Sequence, residues 1–332
     1  MVLVLSRRDV EASLSMAECI ASQEAAFRAH AQGRAAVPAR VSMPVNPHHG
    51  LFVAMPARVD MTADGGADAM VAKILTFYDQ NPARLRRPAI TGVVLVHDSQ
   101  NGALLAIIDA GSLTALRTAA ASGLATRYLA RKDTATLAVL GTGPQADAHV
   151  DAVLAVRPIR EVRVLGRDRA RLSTFVDRVQ ARTGIPTAAH ESVRSAVEGA
   201  DVIVTATSAR DSIVSRQWIS AGAHINCVGS GIPDRRELDD DTVRDAKIIV
   251  DTRESALAEA GDLLIPIARG VMTSESIHAE LGEIVTGARP GRESDSEITL
   301  FKSVGVALQD AAAAARAYER AIAGGLGQRI EL

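Results

Sequence analysis

The spacing of apolar positions changes character along the chain, and the changes divide it. Residues 9 to 32 repeat at helical spacing through Val10, Leu14, Ile20 and Phe27, which predicts one long helix. Pro38, Pro44 and Pro56 then punctuate extended segments, Val37 to Val45 and Leu51 to Ala57. Val71 to Phe77 is β-branched and apolar. The clearest hairpin follows, because Ile90 to His97 and Ala103 to Ile108 flank a turn centred on Asn101-Gly102. An antiparallel sheet with one long helix is the expected product of this first third.

From residue 110 the period becomes that of alternating strands and helices. Asp109 and Ser112 are candidate N-caps for an Ala-rich helix running through Leu113, Leu116, Leu124 and Tyr128 to about residue 130. Strands are predicted at Thr136 to Leu140, Glu161 to Leu165, Pro186 to Ala189, Asp201 to Ala206, Ala223 to Val228 and Lys247 to Asp251. Helices are predicted from about 144 and 169. Short apolar runs separated by helical stretches specify βαβ units and a parallel sheet. The last stretch, Leu300 to about Ala323, reads as another Ala-rich helix. The fold class is α/β, a dinucleotide-binding Rossmann domain joined to an α+β domain.

Composition narrows the function. The chain has 332 residues, 47% hydrophobic and 23% charged, which suits a globular protein of two domains. A net charge of −2 and 3% aromatic residues give no footprint for nucleic acid. Cys19 and Cys227 form no C-x-x-C pair, so neither a disulfide framework nor a thiolate metal site is indicated, and a cytoplasmic setting is expected. The apolar start Met1 to Leu5 is too short for a signal segment, and no run approaches a membrane span. His48, His49 and the other histidines lack metal-ligand spacing, and Asp239-Asp240-Asp241 reads as the start of a helix, so no metal is expected. Of 37 basic residues only four are lysines, Lys73, Lys132, Lys247 and Lys302, which makes each lysine informative.

One motif carries a cofactor. Gly141-Thr142-Gly143-Pro144-Gln145-Ala146 is a G-x-G-x-x-A fingerprint whose first glycine directly follows an apolar strand and whose end opens a helix. Gly141 permits the tight turn, Gly143 lets backbone approach a pyrophosphate, Ala146 allows close helix-to-strand packing, and the helix N-terminus supplies positive potential. The second nucleotide strand ends in Gly166-Arg167 where NAD enzymes usually carry a carboxylate. NADP(H) is therefore the favoured cofactor, with NAD(H) the alternative that Asp168 keeps open.

Hydride chemistry does not name a substrate. A small carboxylate would need guanidinium groups and a group able to exchange a proton at nitrogen. Lys73 shares a strand face with Val71 and Leu75, so it is either a desolvated ammonium of lowered pKa or a lysine snorkelling to the surface. Arg40 and Arg117 are the guanidinium candidates.

Several ordered blocks together resemble the ornithine cyclodeaminase and μ-crystallin family along almost the whole chain. They are Pro38-Ala-Arg40, Val71-Ala-Lys73, Leu113 to Ala120, the Gly141 fingerprint, Val228 to Asp239 and Leu300 to Asp310. The resemblance implies a homodimer with a substrate-binding and dimerisation domain at 1–115 with 306–332, and a Rossmann NAD(P)-binding domain at 116–305. It implies that Lys73, Arg40 and Arg117 act on a small imino or amino acid. It places Thr205, Ala206, Thr207, Val228, Gly229, Ser303 and Gly305 near the ribose and nicotinamide. Within the family the expected activity is reduction of a ketimine, cyclic imine or iminosuccinate, or the reverse dehydrogenation. The alternatives are ornithine cyclodeamination and a μ-crystallin-like NADP(H)-dependent binding protein. In cyclodeaminases an acid stands two residues before the proline of the Gly229 to Asp239 block. Gly231 occupies that position here, with Asp234 the nearby carboxylate, and the branch resembled is that of the ketimine reductases.

Overall fold

The computed structural model describes the backbone of residues 1–332 and all side chains but that of Ala83. Two compact units emerge, Met1–Arg117 with Val306–Leu332, and Thr118–Gly305.

In the first unit the predicted single helix over 9 to 32 is two helices, Arg7–Ser13 and Met16–Ala31. The break comes from Ser15, whose hydroxyl accepts from the Glu18 amide while the Glu18 carboxylate accepts from the Ser15 amide. That reciprocal cap starts a new helix. The helical spacing carries through the break because Val10, Leu14, Ile20 and Phe27 are all buried.

The sheet runs Gln328–Ile330, Val2–Leu5, Leu104–Asp109, Ile90–Asp98, Asp68–Phe77, Gly50–Asp60 and Ala35–Ala36, with Val41–Val45 also paired to Gly50–Asp60. All pairings are antiparallel except that of Val2–Leu5 with Leu104–Asp109. Gly102, at φ 79°, makes the hairpin turn that its sequence predicts. The C-terminal helix Ala307–Gly324 lies on this sheet and against Met16–Ala31. Its Ala311, Ala312, Ala313, Ala314 and Ala317 are fully buried, since small side chains let a helix approach closely on several sides at once.

The second unit is an eight-stranded parallel sheet in the order Thr187–Ala189, Glu161–Leu165, Thr136–Leu140, Val202–Thr205, His224–Cys227, Thr299–Lys302, Lys247–Val250 and Ile277–Glu280. Chain order reverses direction between Thr136–Leu140 and Val202–Thr205. In open α/β sheets that switch point, at the carboxyl ends of the strands, is where ligands bind.

One expectation fails here. Leu300 to Lys302 belongs to a central strand, and helix begins only at Ala307. Leu300 and Phe301 are fully buried in the sheet, and Gly305 at φ 77° breaks the chain before the helix. A four-residue strand with only Leu300 and Phe301 apolar, leading into an Ala-rich segment, has no period of its own to reveal it.

Candidate functional site

Two groups of chemically capable residues stand out, one in each unit. In the first, Lys73 sits in the middle strand Asp68–Phe77, opposite Met55 on one neighbouring strand and Val94 on the other. Strand alternation puts it on the buried face with Val71 and Leu75, and it is 1% exposed. Snorkelling is therefore excluded. Its ammonium lies 2.7 Å from Asp310 Oδ2, on the first turn of the C-terminal helix. Burial depresses its pKa to about 8, with Arg117 and Arg40 pushing the same way and Asp310 opposing them.

Arg117, on the helix Ala110–Leu129, donates from Nε to Asp310 Oδ1 at 3.0 Å and from Nη1 to Gln309 Oε1. Gln309 is held in turn by Gln23 Nε2, which donates to its carbonyl at 3.1 Å. Asp109 caps the Arg117 helix, accepting at 2.8 Å from the Ser112 amide. Arg40 is half-buried just before the strand Val41–Val45. Two cations thus share one buried carboxylate, leaving one positive charge over. A buried excess charge is costly unless a counter-charge arrives, so this cluster suits an anionic ligand.

In the second unit the fingerprint has the expected geometry. Gly141 adopts φ 123°, and a Cβ there would lie 2.4 Å from the Ala206 carbonyl oxygen, so only glycine fits where the switch-point loops meet. Gly143 is different. Its φ of −88° suits any residue, and a Cβ would meet no protein atom within 4 Å. Nothing in the protein requires glycine there, and the space over its backbone is open. Gly143 is also the N-cap of the helix Pro144–Leu154 and provides no side-chain cap, leaving the helix terminus to act on an anion. Ala146 is fully buried against Val139 and Val204, as close packing demands. Behind it, His149 accepts from Ser122 at Nε2 and donates from Nδ1 to the Gln145 carbonyl. Burial lowers its pKa to about 4, so it is a neutral structural group. A Cβ at Gly166 would strike the Thr142 methyl. Arg167 is exposed and donates to Ser208 Oγ at 3.1 Å, while the Asp168 carboxylate caps its own helix through the Arg171 amide.

Most of the remaining candidates are tied to buried carboxylates. Thr205 is buried and donates to Glu237 Oε2 at 2.7 Å, and Thr207 donates to Glu237 Oε1 from both amide and hydroxyl. Gly229 donates its amide to the same carboxylate at 2.9 Å, and a Cβ on Gly229 would collide with it. The Val228 amide donates to the Thr205 carbonyl. Ser303 Oγ, at 3.1 Å, and the Gly305 amide, at 2.9 Å, both donate to Asp251. The hydroxyls of Thr205 and Ser303 are thus committed to buried carboxylates that fasten the loops.

Those carboxylates escape sequence reasoning, as does the ion pair beneath them. Lys302 Nζ lies 2.8 Å from Asp262 Oδ2, both fully buried, and donates to the Ser230 carbonyl. Asp262 Oδ1 accepts from the amides of Glu237 and Leu238. Burial opposes the charge on Lys302, but Asp262 and its neighbours outweigh it and hold the ammonium above the ordinary lysine range. The one available signal was the rarity of lysine. Among the described residues no cluster of His, Cys, Asp and Glu could hold a metal ion, and no helix is long and apolar enough to cross a membrane.

Known proteins share this architecture. The Delta(1)-pyrroline-2-carboxylate reductase of Thermococcus litoralis, solved with NADH and L-proline, superposes with a TM-score of 0.95 at 41% identity, covering 99% of this chain and 100% of that one. The enzyme of the same name from Bacillus cereus is 37% identical over 331 residues, 99% of this chain and 100% of its own. An archaeal alanine dehydrogenase dimer with bound NAD matches with a TM-score of 0.91 at 34% identity, covering 99% of each chain. The family model for ornithine cyclodeaminase and mu-crystallin matches residues 1–325, and the chain belongs to that family.

Proposed function

We propose that this protein is an NAD(P)H-dependent imine reductase that converts a small imino acid to the amino acid, a cyclic imino acid such as pyrroline-2-carboxylate foremost. The observation that carries the reading is the buried Lys73–Asp310–Arg117 cluster, with its surplus positive charge and a lysine whose pKa lies near working pH. Arg117 and Arg40 would hold the substrate carboxylate. Lys73 would donate to the imine nitrogen and supply the proton that the nitrogen takes up as the carbon is reduced, returning to the ammonium from solvent. The names of the relatives support the same class of reaction.

Gly141, Gly143 and the helix from Pro144 would hold the pyrophosphate of a nicotinamide dinucleotide. Thr205 to Thr207, Val228, Gly229, Ser303 and Gly305 would form the loops around its ribose and nicotinamide through backbone placed by Glu237 and Asp251. The bound group supplies the hydride. The unit Met1–Arg117 with Val306–Leu332 would bind substrate and form the homodimer. The dimeric archaeal relative supports this, as do Val41 and Met43, 61% and 54% exposed on the strand Val41–Val45.

NADP(H) should be preferred. Arg167 is exposed beside Gly166, where its guanidinium, now on the Ser208 hydroxyl, could turn to a 2′-phosphate, whereas one oxygen of the Asp168 carboxylate is engaged as a helix cap. The expected result is a higher kcat/KM with NADPH than with NADH, and an Arg167→Ala variant that loses most of the difference. A higher kcat/KM with NADH would refute the preference.

Cyclisation of ornithine should be absent. That reaction needs a placed carboxylate to take a proton from the side-chain ammonium, and Gly231 cannot supply one, while Asp234 is exposed. NAD(P)H consumption should be followed with pyrroline-2-carboxylate, piperideine-2-carboxylate, iminosuccinate, and pyruvate with ammonia or methylamine, alongside proline release from L-ornithine. Turnover of at least one imine and none of ornithine is expected. Proline formed from ornithine at the rate of the best imine would overturn the assignment.

A further inference from the structure

The reaction outlined above employs Lys73 and Arg117 and leaves Asp310 without a task. Its carboxylate is fully buried, one oxygen 2.7 Å from the Lys73 ammonium and the other accepting from Arg117 Nε at 3.0 Å. Fold stability is a poor reason for it, because apolar side chains of equal volume usually hold a core as well as a buried ion cluster does. What an apolar replacement would not do is fix two cations at a set separation. Each oxygen of the one carboxylate engages a different cation, and its helix is anchored by Gln309, which Arg117 and Gln23 both grip.

We propose, resting on the imine-reductase reading, that Asp310 is a positioning residue of the substrate site, holding the Lys73 ammonium and the Arg117 guanidinium side by side as donors to one anionic substrate. It touches no reacting atom and acts through Lys73. The charged groups acting on Lys73 are Asp310 from the C-terminal helix, Arg117 from the helix Ala110–Leu129 and Arg40 from the segment before Val41. Its partners across the sheet, Met55 and Val94, are uncharged. Asp310 is thus the one group keeping a proton on Lys73 against burial and two guanidinium groups. Without it a larger share of the amine would be neutral at working pH and unable to give a proton to the substrate nitrogen.

With four lysines in the chain, protein labelled with 13C at lysine Cε should give four resolved lysine signals, and Lys73→Arg identifies that of Lys73. In the unaltered protein Lys73 should titrate near 8. In Asp310→Asn the midpoint should fall by about one to three pH units, the size of effect a close opposite charge exerts. The basic limb of kcat/KM should move down with it, while Asp310→Glu restores both in part. Loss of stability alone would move neither. A Lys73 midpoint unchanged in folded Asp310→Asn would overturn the proposal. Should that variant not fold, an unshifted basic limb and undiminished kcat in Asp310→Glu would do the same. The titration needs no substrate, so a failure to turn over any imine would count against the reaction and not against this role of Asp310.

Discussion

Replacing Lys73 with methionine should lower kcat/KM for the best imino acid by about 10²- to 10⁴-fold, the usual contribution of a placed proton donor. Methionine fills the lysine's volume in the sheet face with Val71 and Leu75, and Asp310 keeps Arg117 as a partner, so the core retains a paired carboxylate. The loss should fall mainly on kcat, because the proton is needed as the carbon is reduced. Arg117→Met should instead act mainly on KM, since a carboxylate ligand interacts with a guanidinium in ground and transition states alike. Binding of NADPH, read by fluorescence titration, should be close to normal in both, because the nucleotide fingerprint lies in the other unit. Activity within about threefold of the unaltered protein in both variants would remove Lys73 and Arg117 from the site.

Asp262→Asn should be the most destabilising single-atom change in the second unit. It leaves the fully buried Lys302 ammonium without its counter-charge, an effect of about 3–5 kcal/mol, or roughly 10 °C in Tm for a chain of this size. The same change weakens the acceptor of the Glu237 and Leu238 amides, and with it the Glu237 carboxylate that ties Thr205, Thr207 and Gly229 together. Nucleotide affinity should therefore fall as well, though Asp262 lies beneath the loops. The paired replacement Asp262→Leu with Lys302→Met should recover much of the Tm, because it removes both charges. Thermal unfolding of the two variants beside the unaltered protein checks this, and an unaltered Tm in Asp262→Asn would show the pair to be unimportant for the fold.

How much of this was legible in sequence depended on the range of the interaction. The strands Thr136–Leu140 and Glu161–Leu165 and the helix start at Pro144 stand where the spacing predicts, because a buried run bounded by glycine is a local signal. Val2–Leu5, Gln328–Ile330 and Ile277–Glu280 are strands of only three or four residues whose pairing, not their composition, makes them so. Alternation put Lys73 on the face of Val71 and Leu75 but left snorkelling to the surface open, which only its burial in the fold decides. Its partner was not readable, since Asp310 meets Arg117 from 193 residues away and an acid at the start of a helix reads equally well as a dipole partner. Glu237 and Asp251 were invisible for the same reason. Each carboxylate acquires meaning only when the parallel sheet brings loop amides and hydroxyls to it. Thr205 and Ser303 were noticed, but sequence could not show that their hydroxyls turn inward to those acids.

The central claim is hydride transfer to an imine carbon, and isotope transfer tests it most directly. NADPH carrying two deuterons at nicotinamide C4 should be incubated with the protein and pyrroline-2-carboxylate, and the product examined by mass spectrometry. The account predicts proline with a single deuteron at Cα, formed in step with NADP⁺. Nucleotide that binds but is never oxidised by this or any other small imino acid, or proline without deuterium, would contradict it.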